Sequence, residues 1–189
     1  QIDLEYSKKK GVVVFNAPYS NTRSVVELAV GQTIMLMRSI FPRSTEIHNG
    51  EWNKTAAGSQ EVRGKNLGIV GYGNIGKQMS VLAEAMGMKV YYYDVNDQLA
   101  LGNAVKCDTL EDLLSVSDVV TLHVDDNKAN KNFIGEREIN QMRDGAKLIN
   151  LSRGFVVDID ALTNALKSGK LGGAAIDVYP SEPKSNGAF

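Results

Sequence analysis

Residues 67–76 read Leu67-Gly68-Ile69-Val70-Gly71-Tyr72-Gly73-Asn74-Ile75-Gly76. A short apolar run, predicted as a strand, feeds directly into Gly71, Gly73 and Gly76 at G-x-G-x-x-G spacing. Residues 74–87 then read as a helix, and a second apolar run over 89–94 ends in Asp94. Each piece has a physical task. Gly71 lets the chain turn sharply, and Gly73 lets the main chain approach a pyrophosphate with no Cβ in the way. Gly76 lets helix and strand pack closely. The first turn of the helix offers unpaired N–H groups and the positive end of its dipole to phosphate oxygens. An acidic residue roughly 20 positions beyond the glycines can accept hydrogen bonds from the adenine-ribose hydroxyls. Asp94 therefore favours NAD over NADP, because a 2′-phosphate would face its charge and no Arg or Lys follows directly to offset it.

Outward from this stretch, apolar runs and helical patterns alternate. Strands are predicted over 67–71, 89–94, 118–124, 147–151 and 173–178, with helices over 74–87, 109–115, 135–142 and 158–167. Runs such as Val119-Val120-Thr121-Leu122 are apolar on both sides, as expected when helices cover both faces of a sheet. This alternation gives an α/β fold, a doubly wound parallel sheet of the Rossmann type. Upstream, residues 3–10 are expected to form a short helix and 12–15 a short strand. Residues 22–39 form a long helix with apolar residues on more than one side, expected to be broadly buried. Residues 42–66 read as polar and irregular, with Trp52 as a packing anchor.

The chain has 189 residues, 43% hydrophobic and 23% charged, which suits one globular domain with a fragment of a second. A net charge of −1 supplies no drive toward nucleic acid or an anionic membrane, and neither partner is expected. The single Cys107 precludes an internal disulfide and suits a reducing, cytoplasmic setting; it reads as an inert thiol. No stretch reaches membrane-spanning length, and no metal site is expected. Gln1 opens the chain without Met, so a longer parent protein is expected.

Ligands of such sheets bind at the carboxyl ends of the strands. There, the run 147–154 ends in Leu151-Ser152-Arg153-Gly154, which places a guanidinium where it can grip a carboxylate with two parallel hydrogen bonds. The next strand ends in Asp177, able to accept a hydrogen bond from a nicotinamide carboxamide. Glu182 follows between Pro180 and Pro183; taken alone it reads as a surface loop residue. Of the two histidines, His48 reads as solvent-facing. His123 reads as a hydrogen-bonded wall residue near the cofactor rather than a catalytic base, and Asp125-Asp126 as a solvated turn.

The chain resembles the D-isomer-specific 2-hydroxyacid dehydrogenases, and within them the branch acting on 3-phosphoglycerate. The resemblance spans essentially the whole chain. It rests on residues 15–25 (Phe15-Asn16-Ala17-Pro18-Tyr19-Ser20-Asn21-Thr22-Arg23-Ser24-Val25), on Trp52-Asn53-Lys54 with Ala57-Gly58-Ser59, and on the glycine turn. It rests further on Ile149-Asn150-Leu151-Ser152-Arg153-Gly154 and Ala175-Ile176-Asp177-Val178. It implies NAD-linked oxidation of 3-phosphoglycerate to 3-phosphohydroxypyruvate, opening serine biosynthesis. Asn74 and Ile75 would meet the pyrophosphate, along with Gly71, Gly73 and Gly76, and Asp94 the adenine ribose. Leu151, Ser152 and Arg153 would line the cofactor, and Asp177 would hold the nicotinamide. Arg153 would also bind the substrate, and Glu182 would pair with a catalytic histidine. The resemblance places that histidine beyond Phe189, so this chain is expected to bind NAD and be nearly inactive alone. Residues 1–17 would be the last helix and strand of a substrate domain, and 18–189 the NAD-binding and dimerisation domain of a homodimer or higher homo-oligomer. Competing expectations are a hydroxypyruvate or glyoxylate reductase, a D-lactate dehydrogenase, or an NAD(H)-sensing dimeric corepressor.

Overall fold

The strands are β1 (Asn66–Val70), β2 (Lys89–Tyr93), β3 (Val105–Lys106), β4 (Val119–Leu122), β5 (Ala146–Asn150) and β6 (Leu171–Ile176). In the computed structural model, which describes residues 2–183, 185 and 187, they form one sheet in the order β3-β2-β1-β4-β5-β6. Every neighbouring pair is parallel. The chain winds outward from β1 to β3, then returns to lay β4 on the other side of β1. That reversal opens a crevice at the carboxyl ends of β1 and β4.

Helix α2 (Thr22–Arg38) and α4 (Asn74–Ala85) cover one face, and α5 (Leu110–Val116), α6 (Glu136–Gln141) and α7 (Ile159–Ser168) cover the other. Side chains along β1 alternate accordingly. Leu67 and Ile69 join the core beneath α2 and α4 with Val26, Ala29 and Met79. Val70 joins the opposite core with Leu113, Leu122 and Leu148. Burial on both faces is what makes these strands continuously apolar. Local signals fix the helix ends. Thr109 and Asp112 form a reciprocal capping box on α5. Asp158 caps α7, which Gly169 closes in the left-handed conformation.

Four expectations need correction. Residues 42–48 are not irregular: α3 (Ile40–His48) follows α2 after left-handed Ser39. Pro42 sits in its first turn, where a missing N–H costs nothing. Residues 12–15 make no strand and pair with none of the sheet's strands; only α1 (Leu4–Lys9) forms there, and it buries no residue. Trp52 is 81% exposed, so within this chain it anchors nothing. Finally, α2 buries one stripe (Thr22, Val26, Ala29, Thr33 and Met37) while Leu28 stays exposed and Val25, Ile34 and Met35 stay half-buried. Two-residue β3 had no sequence signal, being shorter than one alternation. Among the described residues, no single helix is long and apolar enough to cross a membrane.

Candidate nucleotide and substrate site

The turn from β1 into α4 is built from glycines with three different roles. Gly71 has φ +91°, and a Cβ there would lie 2.5 Å from the His123 carbonyl oxygen, so β1 and β4 meet at this point without room for a side chain. A Cβ on Gly76 would collide with the Gly71 carbonyl, which sets how closely α4 lies on β1. At Gly73, in contrast, a Cβ would meet nothing within 4 Å. The space in front of Gly73 is therefore open, and the N–H groups of Asn74, Ile75 and Gly76 have no acceptor among the described residues. Open space, unpaired donors and a helix dipole together fit a diphosphate. The Asn74 side chain donates to the Pro18 carbonyl at 3.3 Å, tying this turn to the upstream segment.

Asp94 closes the same bend. Its Oδ2 accepts the Tyr72 N–H at 2.7 Å and its Oδ1 accepts the Asn96 N–H at 2.8 Å. A carboxylate offers about four lone-pair positions, so two remain for a ribose diol. Buried Tyr72 stacks on Tyr92 at 3.8 Å. Its hydroxyl shares a hydrogen bond with Ser80 and accepts the Leu101 N–H, and the Tyr92 hydroxyl donates to the Gln98 carbonyl. These bonds fix the 94–101 loop beside Asp94.

His123 lies across the crevice, its Nε2 at 3.1 Å from Thr121 Oγ1. Part of the residue's surface is open, but Nδ1 is enclosed and has no partner among the described residues. Desolvation pushes the imidazole from 6.5 down to about 4. That keeps the ring neutral at ordinary pH, as suits a wall residue. His48, by contrast, is exposed on α3, its Nδ1 against the Ser44 carbonyl. Burial likewise pushes the Cys107 thiol up, away from reactivity.

At the end of β5 the organiser is Asn150, fully buried and not singled out from the sequence. Its Oδ1 accepts both the Ser152 N–H and hydroxyl, its Nδ2 donates to the Arg153 carbonyl, and its own carbonyl accepts the Asp177 N–H at 3.1 Å. The side chain of this one residue thus holds the 151–153 turn, and its main-chain carbonyl ties the end of β5 to the residue that follows β6. The only sequence signal was a polar residue closing an apolar strand. Leu151 and Ser152 are buried in this turn. Arg153 is half-exposed, with one guanidinium nitrogen donating to the Ser152 carbonyl at 2.7 Å and Nε 3.5 Å from Asp126. Asp125 and Asp126 are both exposed, as expected of a solvated turn, and Asp126 in addition faces the guanidinium.

Exposed Asp177 and Glu182 line one open cleft of about 460 Å³ with Tyr179 and Pro183. Glu182 Oε1 accepts the Tyr179 N–H at 3.0 Å, which folds the segment back on itself. Arg153 is not among the residues lining that cleft. Gly154 joins the two parts: a Cβ there would collide with the backbone of Tyr179 and Pro180. Gly154→Ala is therefore expected to cost about 2 kcal/mol as an overpacked site. It should also raise amide hydrogen exchange over 177–183. Unchanged exchange there would show that the contact does not hold the segment.

A parallel sheet in this order, with a glycine turn, unpaired helix-start donors and a carboxylate at the next strand end, defines a dinucleotide-binding α/β domain. Residues 30–189 match the D-isomer specific 2-hydroxyacid dehydrogenase, NAD binding domain. The chain belongs to that family and carries its NAD-binding domain. It is 56% identical over 185 residues to a D-3-phosphoglycerate dehydrogenase of Haemophilus influenzae, covering 98% of this chain and 45% of the relative. It is 55% identical over 186 residues to one of Dictyostelium discoideum, covering 98% and 46%. The chain thus spans somewhat under half the length of these relatives. Among solved structures, D-lactate dehydrogenase with NAD+ from Lactobacillus jensenii superposes with a TM-score of 0.87 at 31% identity, over 95% of this chain and 55% of that one.

Proposed function

We propose that this chain holds NAD for the oxidation of 3-phosphoglycerate to 3-phosphohydroxypyruvate, the entry to serine biosynthesis, within a larger cytoplasmic enzyme. The observation that carries this reading is the identity to phosphoglycerate enzymes, above half over nearly the whole chain. When bound, NAD supplies the acceptor for the hydride leaving substrate C2. The chain's own residues bind and orient. The N–H groups of Asn74 and Ile75 hold the diphosphate, Gly71, Gly73 and Gly76 keep the cradle open, and Asp94 takes the adenine-ribose hydroxyls. Leu151, Ser152 and Arg153 line the nicotinamide end, and Asp177 accepts from its carboxamide. Arg153 exchanges its 3.5 Å contact with Asp126 for the substrate carboxylate, since a bidentate charged pair is the stronger partner. The hydroxyl proton passes to a histidine supplied by the rest of the protein, and Glu182 stabilises the resulting imidazolium.

In this reading residues 1–17 belong to the substrate domain and 18–189 to the nucleotide domain. A second copy covers the half-exposed face of α2 together with Phe41 and Trp52, both open to solvent here. Sedimentation of the chain as a monomer would count against the dimer.

Titration with NAD and NADP is the direct test of the cofactor assignment. NAD is expected to bind roughly tenfold more tightly or better, because a 2′-phosphate would meet the Asp94 carboxylate. Equal affinity would remove Asp94 from its role. In the whole enzyme, Arg153→Lys is expected to lower kcat/KM for 3-phosphoglycerate roughly tenfold or more through loss of the bidentate contact, with NAD affinity unchanged. Turnover on D-lactate or glyoxylate but not on 3-phosphoglycerate would overturn the substrate.

A further inference from the structure

A second cleft opens at the opposite, amino edge of the sheet, where the cofactor reading assigns nothing. It measures about 260 Å³ and is lined by Lys65, Asp118, Arg143, Asp144 and Lys147, with Met37 of α2 and the 58–60 segment as its outer wall. Both carboxylates are already committed. Asp118 accepts the Asn66 N–H at 2.8 Å and Arg143 at 2.9 Å, and Asp144 pairs with Lys170 at 2.8 Å. The half-buried Lys65 and Lys147 have no hydrogen bond or ion pair on their ammonium groups among the described residues.

Lys147 is seated by the backbone. Ala146 pairs with Leu171 but Lys147 pairs with Gly173, so Gly172 is an extra residue, a bulge in β6. A Cβ on Gly172 would collide with Lys147 Nζ and with the Gly145 carbonyl, and one on Gly173 would lie 3.3 Å from Leu36 Cδ2 and 3.5 Å from Lys147 Cδ. Gly172 thus leaves room for the ammonium end of this lysine at the cleft. Glycine inside a strand otherwise weakens it, and at Gly172 the close approach of the lysine and of the Gly145 carbonyl accounts for it. Burial lowers the affinity of the Lys147 amine for its proton, a cost that an anion beside it would offset.

We propose that this cleft is a binding site for a small polyvalent oxyanion of the phosphate class, held by Lys65, Lys147 and the outer donors of Arg143. Occupancy fastens the 58–60 segment and the end of α2 to the start of β1 and β5, on the far side of the sheet from the nucleotide crevice. It does not depend on the cofactor reading.

The test is titration of this chain with inorganic phosphate at constant ionic strength, followed by amide NMR shifts. Saturable shifts are expected at residues 58–60, 145–147 and 172. Shifts confined to 71–76 would report phosphate in the glycine cradle only and would overturn the proposal. Lys147→Met preserves the stem and removes the charge, and Lys65→Gln removes a charge at the other wall. Each is expected to weaken the amino-edge binding roughly tenfold, leaving the 71–76 shifts unaltered. Chloride at matched ionic strength reproducing the shifts, linear shifts without saturation, or both variants binding like wild type would each rule the site out.

Discussion

Gly73→Asp is expected to fold like the parent chain and to lose NAD affinity about 100-fold or more, roughly 2.7 kcal/mol. The two halves of that expectation come from the same spot. A Cβ at position 73 meets no atom within 4 Å, and the backbone there has φ −78°, which any residue adopts. Gly73 is also the residue preceding the first turn of α4, where aspartate is among the favoured capping residues. Nothing in the apo fold therefore opposes the substitution. A bound diphosphate does, because the new carboxylate occupies the open space in front of Asn74 and Ile75. At about 4 Å two unit charges near a protein surface repel by roughly 4 kcal/mol before screening. Gly71→Ala is the contrasting control. With φ +91° and the His123 carbonyl 2.5 Å from the new Cβ, it should damage the fold itself. A thermal melt paired with NAD titration separates the two. A Gly73→Asp chain that melts normally and still binds NAD within about threefold of wild type would show that no phosphate lies there.

The contrast between Gly73 and Gly71 also marks what a sequence can carry. The glycine spacing, read with the strand before it and the helix after it, identified the turn: Gly71 and Gly76 answer close backbone approaches, and Gly73 leaves open the space a ligand needs. Asp94 was legible for the same reason: strand length fixes where the second strand ends, and its carboxylate does reach the Tyr72 N–H. The continuous apolar runs gave the parallel sheet because burial on both faces leaves no polar alternation. Contacts between distant segments were less visible. Gly154 read as a neighbour of Arg153, whereas its geometry is set by the backbone of Tyr179 and Pro180. Asn150 read as part of a strand, yet it holds three groups of the adjoining turn. Asp126 is solvated as it read, but nothing local reveals that Arg153 turns toward it. Trp52 was expected to bury itself, but the partner for a large apolar surface need not lie in the same chain.

His123 supplies the second large effect, on stability against pH. Its imidazole titrates near 6.5 when the chain is unfolded and about 4 when folded. As pH falls through that window the unfolded chain takes up a proton that the folded chain refuses, so stability drops. The stabilisation is complete above pH 6.5 and is lost progressively toward pH 4, a change of about 3 kcal/mol. Asp97 and Asp144 act in a separate range. Ion pairs with Lys106 and Lys170 hold their carboxyls below the usual carboxylate range, so their contribution begins to fade only as the pH approaches that of a free carboxylate. Urea unfolding at pH 7 and pH 4 should therefore show a steep loss in wild type and a loss about 3 kcal/mol smaller in His123→Gln. Glutamine keeps a polar group near Thr121 Oγ1 and cannot titrate. Imidazole proton shifts give an independent reading, with a midpoint near 4 in the folded chain. A midpoint near the ordinary 6.5 would mean that the ring is solvated and that the wall between β1 and β4 is looser than the Gly71–His123 contact requires.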